Sequence, residues 1–177
     1  MTELQKPTRA IFLDVDGVLI SSRTHCAENK GKKWNMFDPI AMMLIRRICE
    51  ELHCTIVISS SWRKGKDGPI LRETLFKNGL LKYVHEDWAT IEYSGLKRGR
   101  EIQEWLSRHA EITEYVILDD CLKECFSVDQ EDNHLILTDS MEGFLYKDYV
   151  MTSYILRGVK KSHIVPDDND QGTTEDY

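Results

Sequence analysis

Apolar residues along this chain come in short unbroken runs separated by amphipathic stretches. Residues 10–13, 54–58, 115–118 and 134–137 are near-continuously apolar, the second of them rich in β-branched residues, the pattern of strands buried on both faces. Residues 81–85 form a shorter candidate strand. Between the runs the period changes to that of helices. Asp38 reads as an N-cap with Pro39 at the first helical position, followed by Ile40, Leu44, Ile48 and Leu52 on one stripe. Pro69 opens a second helix that Gly79 ends, a third carries Ile102, Trp105 and Leu106, and a last one over 147–157 turns Val150, Met151 and Tyr154 inward. Residues 21–37, polar and Lys-rich, read as a loop or small flap, with further loops at 64–68 and 93–99. Strands alternating with helices predict an α/β fold, a parallel sheet covered on both faces.

In such sheets ligands gather at the carboxyl ends of the strands. Asp14 and Asp16 lie where the first run stops, with Gly17 turning the chain at once. Ser59, Ser60 and Ser61 follow the second run, and Asp119-Asp120 end the run at 115–118. Acidic turns after core strands are common, but three separate strands ending in acids or hydroxyls are hard to ascribe to chance. Carboxylates from two strand ends suit a hard cation such as Mg2+, which completes its shell with water and phosphate oxygens. A hydroxyl at Ser59 and a cation at Lys97, where a loop opens a helix, suit phosphate. An aspartate can attack phosphorus while a second carboxyl moves the proton.

Composition narrows the field. The 177 residues, 41% hydrophobic and 30% charged, suit one globular domain, expected over 1–165, with an acidic and disordered tail at 166–177. The net charge of −7 argues against broad nonspecific DNA binding. Residues 1–7 hold no apolar signal region, no run suits a membrane span, and the five scattered cysteines suit a reduced cytoplasmic setting. Ten of the 23 Lys and Arg lie in loops expected near the strand ends: Arg23, Lys30, Lys32, Lys33, Arg63, Lys64, Lys66, Lys97, Arg98 and Arg100. They read either as a positive mouth for phosphate esters or as ordinary solvated loops. Arg63 offers a substrate contact or a surface ion pair, and Trp62 offers packing or a platform on which a base stacks.

Four stretches in order carry a family resemblance: Asp14-Val15-Asp16-Gly17-Val18-Leu19, Ile56-Val57-Ile58-Ser59, Lys97 before a helix, and Val116-Ile117-Leu118-Asp119-Asp120. Together they resemble the haloacid dehalogenase (HAD) superfamily of phosphohydrolases over about residues 9–157. The resemblance implies a Rossmann-like, three-layer fold with a central parallel sheet of about five strands and the first-motif strand in the middle. It implies Asp14 as nucleophile, Asp16 as general acid/base with its backbone carbonyl on the metal, and Ser59 as phosphate binder. Ser60 and Arg63 are further substrate-binding candidates. Lys97 is the implied third-motif cation, with Arg98 or Arg100 as alternatives. Mg2+ is expected on Asp14, Asp16 and Asp120, with Asp119 as helper. The spacings leave no room for a large cap domain, so the site is expected to be open to large substrates. The Ile-Ser-Ser-Ser-Trp-Arg stretch at 58–63 and Leu-Thr-Asp-x-x-x-Gly at 137–143 are similar to phosphatase domains of RNA-repair proteins and of polynucleotide kinase/phosphatases. The expected activity is a Mg2+-dependent phosphomonoesterase on a nucleic-acid 3′-phosphate end or nucleotide. Another small metabolite, a phosphoprotein and a non-catalytic phosphate-binding module are the alternatives. No membrane association and no obligate protein partner is expected.

Overall fold

The computed structural model describes residues 8–27, 37–65, 67–92, 97–121 and 125–164. The expected tail at 166–177, Lys30, Lys32, Lys33 and Lys66 lie outside the described residues. The elements in chain order are β1 Arg9–Leu13, α1 Ser22–Ala27, α2 Pro39–Leu52, β2 Thr55–Ile58, α3 Asp67–Lys77, β3 Val84–Ala89, α4 Arg98–Ser107, β4 Glu114–Asp119, β5 Leu135–Leu137 and α5 Tyr146–Ile155.

The five strands form one parallel sheet in the order β3-β2-β1-β4-β5, with β1 in the centre as expected. Leu13 pairs with Ile58 on one side and Leu118 on the other. Because the side-chain period of a strand is two, alternate residues feed two cores. Ile11, Leu13, Ile56, Ile58, Val116 and Leu118 meet α2, α3 and residues at the end of α5 on one face. Ala10, Phe12, Val57 and Ile117 meet Ile102 and Trp105 of α4 on the other. Trp105 sets its edge against Phe12 at 5.4 Å between ring centres, and His109 stacks on Trp105 at 3.7 Å. These three layers are why the strand runs are apolar throughout rather than alternating.

Some elements depart from the sequence pattern. Asp38 caps α2 through its carboxylate, which accepts from the Ile40 N–H at 2.8 Å. Ile40 itself is 56% exposed, because α2 buries the neighbouring stripe of Ala41, Leu44, Ile45, Ile48 and Leu52 and leaves Ile40 off it. α3 starts at Asp67, two residues before Pro69. The third strand begins at Val84, because residues 81–83 close a 3-10 turn in its place. In α5, Asp148, Thr152, Ser153 and Ile155 are buried, while Tyr154 is exposed and Val150 and Met151 are only half-buried. A helix with small polar residues on its buried face misleads a reading that looks for large apolar ones. Residues 21–27 hold the short α1, and residues 28–36 of the expected flap lie outside the described residues. Among the described residues between β1 and β2, only α1 and α2 are regular, which fits the expected lack of a large cap. Cys121 and Cys125 are joined by a disulfide, whereas a fully reduced set was expected; Cys26, Cys49 and Cys54 are free. No helix among the described residues is long and apolar enough to cross a membrane.

Candidate active site

The sheet's hydrogen-bond ladder runs one step beyond the strands. Thr90 N–H donates to the Ile58 carbonyl, Ser59 N–H to Leu13, Asp14 N–H to Leu118 and Thr138 N–H to Asp119, each at 3.0 Å. Residues from all five strand ends therefore line up along the carboxyl edge, where the parallel topology exposes strand ends to ligands. Asp14 is 5% exposed and Asp119 fully buried.

Asp14, Asp119 and Asp120 each offer a carboxylate oxygen, and these oxygens lie within 4.8 Å of one another. Gly17 makes this convergence possible. Its φ is +73°, a conformation that glycine adopts without strain, and a β-carbon there would sit 2.2 Å from the Asp120 carboxyl carbon. The chain turns back after Gly17, whose N–H donates to the Ile20 carbonyl at 2.7 Å. Thr138 pins the same turn from beyond β5 by donating its hydroxyl to the Gly17 carbonyl at 2.9 Å. The Leu-Thr-Asp-x-x-x-Gly stretch thereby buttresses the loop that presents Asp14 and Asp16.

Three acids at one point raise an electrostatic problem, and the carboxyl groups report it. Burial, and then repulsion from Asp14, push Asp119 up to about 6 despite the pull of a neighbouring guanidinium. Burial and Asp14 also hold Asp120 above the usual carboxylate range. The guanidinium belongs to Arg98, which donates to Asp14 at 2.8 Å and also to Asp119. Burial works against the charge of Arg98, yet Asp14 and Asp119 outweigh it and hold its pKa above the usual arginine value. One guanidinium against three carboxylates leaves a surplus of negative charge. A hard divalent cation fits this all-oxygen, anionic donor set, and Asp14, Asp119 and Asp120 are the side chains that would hold it. The Asp16 side chain is not among that trio; it accepts a hydrogen bond from the Trp62 indole N–H at 2.8 Å.

The cation beside the acids is thus Arg98, where Lys97 was the first expectation. Lys97 is the N-cap of α4 and is exposed, whereas Arg98 enters the first turn of the helix and faces the strand ends. α4 can seat this closely because Gly99 has no side chain: a β-carbon there would meet the Gln130 Oε1 at 2.3 Å. The buried Gln130 amide donates to the Gly99 carbonyl at 3.0 Å and locks the helix start in place.

The 3-10 turn Ser61–Arg63 after β2 distributes its neighbours' roles unexpectedly. Among the described residues, the fully buried Ser59 hydroxyl and the buried Thr90 hydroxyl find no hydrogen-bond partner. A buried polar atom without a partner is uncommon in a folded protein and calls for an explanation such as a ligand. The Ser60 hydroxyl instead accepts from the Trp62 backbone N–H at 3.3 Å and caps the turn. Arg63 is committed elsewhere: it donates to the Ser59 and Ser60 carbonyls at 2.5 and 2.6 Å and to Glu101 at 2.7 Å. With side chains only 7% and 6% exposed, Arg63 and Glu101 form a nearly buried ion pair, where a substrate contact or a surface ion pair was expected of Arg63. The predicted positive mouth is likewise reduced among the described residues. Arg23 pairs with Asp38, Lys64 with Glu92, and Arg98 with the site acids, leaving Lys97 and Arg100 as exposed cations near the helix start.

A central parallel strand ending in Asp14 and Asp16, between a neighbour ending in Ser59 and one ending in Asp119-Asp120, defines a domain of the HAD phosphatase type. The family model described as the HAD domain in Swiss Army Knife RNA repair proteins matches residues 10–149, from β1 into α5, and the chain belongs to that family. Neither a curated protein nor a solved structure matches the chain.

Proposed function

We propose that this protein is a Mg2+-dependent phosphomonoesterase that works through an aspartyl-phosphate on Asp14 and removes a 3′-phosphate from a nucleic-acid end. The observation that carries the reading is the convergence of Asp14, Asp119 and Asp120 on the edge that also holds a buried hydroxyl, Ser59, with no partner among the described residues. Phosphate oxygens supply that partner, and the row of strand ends orients the phosphorus toward Asp14. A carboxylate oxygen of Asp14 bonds to phosphorus as the bond to the ester oxygen breaks. Asp16 gives its proton to that leaving oxygen. Asp16 then takes a proton from water as the water oxygen bonds to phosphorus, the Asp14–phosphorus bond breaks, and free phosphate and the Asp14 carboxylate result. Arg98 holds Asp14 in place and balances charge on the transferring group. Asp14, Asp119 and Asp120 would hold Mg2+, which would supply additional charge neutralisation for the phosphoryl oxygens.

Support for a polynucleotide substrate comes from two directions. The family to which the chain belongs is described from RNA repair proteins. The short connection between β1 and β2 leaves the strand ends without a large cover among the described residues. The test compares phosphate release from a 3′-phosphorylated oligoribonucleotide, its 5′-phosphorylated counterpart and mononucleotides, with Mg2+ and with a chelator. Turnover is expected to need Mg2+ and to favour the 3′-phosphorylated oligonucleotide, and Asp14→Asn is expected to abolish it at unchanged fold. A fully active Asp14→Asn protein would refute the nucleophile, and a preference for mononucleotides would refute the polymer.

A further inference from the structure

The proton-transfer role proposed for Asp16 creates a difficulty that the structure resolves. Asp16 is the exposed residue of an otherwise buried turn beyond β1, and an exposed carboxylate samples several rotamers. A group that must meet a leaving oxygen in each turnover gains from being held in one orientation. The holder in this structure comes from the other side of the site. Trp62 lies 46 residues further along the chain, and its indole Nε1–H donates to the Asp16 Oδ2 at 2.8 Å.

Trp62 is itself rigidly set. It is 6% exposed and packs edge-on against Phe37, with ring centres 5.7 Å apart. Its backbone N–H is capped by the Ser60 hydroxyl, and the next residue, Arg63, is clamped to the Ser59 and Ser60 carbonyls and to Glu101. The indole N–H is a donor only. It occupies one carboxylate oxygen of Asp16 and leaves the other for the ester oxygen.

We infer that Trp62 is a positioning residue: its indole N–H aims the Asp16 carboxyl at the leaving oxygen of the substrate. The inference rests on the phosphatase reading above and adds to it a reason for the turn Ser61–Arg63 to carry a tryptophan. It has a signature that mere packing lacks. Protonation of the leaving oxygen matters for an alkoxide, as in a 3′-phosphorylated sugar, and little for a stable phenolate such as p-nitrophenolate. Losing the orientation of Asp16 therefore slows formation of the aspartyl-phosphate selectively for the first class of ester, which kcat/KM reports, while hydrolysis of the shared intermediate slows alike for both.

The experiment compares wild-type protein, Trp62→Phe, Asp16→Asn and the double variant in Mg2+ on a 3′-phosphorylated oligoribonucleotide and on p-nitrophenyl phosphate. Phenylalanine keeps a ring against Phe37 and removes the N–H. The ratio of the two kcat/KM values is expected to shift against the oligonucleotide by about tenfold in Trp62→Phe, the weight of one hydrogen bond to a charged group. The double variant is expected to be no worse than Asp16→Asn. Independently of activity, the indole N–H signal that disappears from the 1H–15N spectrum in Trp62→Phe is expected to move in Asp16→Asn. An equal loss of kcat/KM on both esters, or an indole signal that ignores Asp16→Asn, overturns the inference while leaving the phosphatase reading intact. Failure of wild-type protein to hydrolyse either ester overturns both, whatever the indole signal does.

Discussion

Arg98 and Lys97 are neighbours in the chain and both carry a positive charge, yet the fold gives them opposite situations. Lys97 has extended backbone at the N-cap and faces solvent; Arg98 bonds to Asp14 and Asp119. Replacing Arg98 with Ala is therefore expected to lower kcat on an activated aryl phosphate by about a hundredfold or more, the scale of losing a charge-stabilising donor in a water-poor site. Lys97→Ala is expected to change it by less than about threefold, as for an exposed cation. Equal losses in steady-state assays of the two variants would contradict the geometry. The sequence placed a cation before this helix but not its register, since Lys97, Arg98 and Arg100 all satisfy that pattern. Which of them turns inward depends on Gly99 docking against Gln130, a contact between residues 31 apart.

The turn after β2 and the start of α4 are tied together by the Arg63–Glu101 pair, and with them the elements that carry Ser59 and Arg98. Breaking a buried pair leaves the other charge without compensation, a loss of about 3–5 kcal/mol. Glu101→Ala is thus expected to reduce unfolding free energy by that amount in denaturant titrations. The double substitution Arg63→Met with Glu101→Leu is expected to recover most of it, because no stranded charge remains. A destabilisation below about 1 kcal/mol, as for a surface pair, would show that water reaches the pair. In sequence Arg63 offered a substrate contact or a surface ion pair. Its real partner sits 38 residues on, and local spacing carries no record of that.

The sheet as a unit gathers acids that would repel one another without a cation, which links stability to pH and to Mg2+. Asp119 is raised to about 6 in the folded chain, above its ordinary value of 3.8. A carboxyl raised on folding binds its proton more tightly in the native state. In metal-free protein its contribution is therefore most favourable at low pH and falls as pH rises between about 4 and 6. Protons compete with Mg2+ for the same oxygens. At pH 7 saturating Mg2+, about a hundredfold above Kd, is expected to stabilise the protein by about 3 kcal/mol, or roughly 6–12 °C in Tm. At pH 5 the increment is expected to be smaller. Thermal melts with Mg2+ or chelator at the two pH values check this, and an equal increment at both would mean the ion binds elsewhere.

The strand runs, the α2 cap at Asp38 and the order of acidic and hydroxyl strand ends were legible in the chain, because burial on both faces and helix capping are local demands on residue type. Asp14, Ser59, Asp119 and Asp120 followed from these demands and from the rule that parallel sheets bind at their carboxyl ends. Only packing could decide that Arg98 and not Lys97 meets the acids, that Arg63 braces Glu101, and that Trp62 grips Asp16. Each of those contacts joins distant segments, and its geometry is set by how two layers seat on one sheet, a matter on which neighbouring residues in sequence are silent.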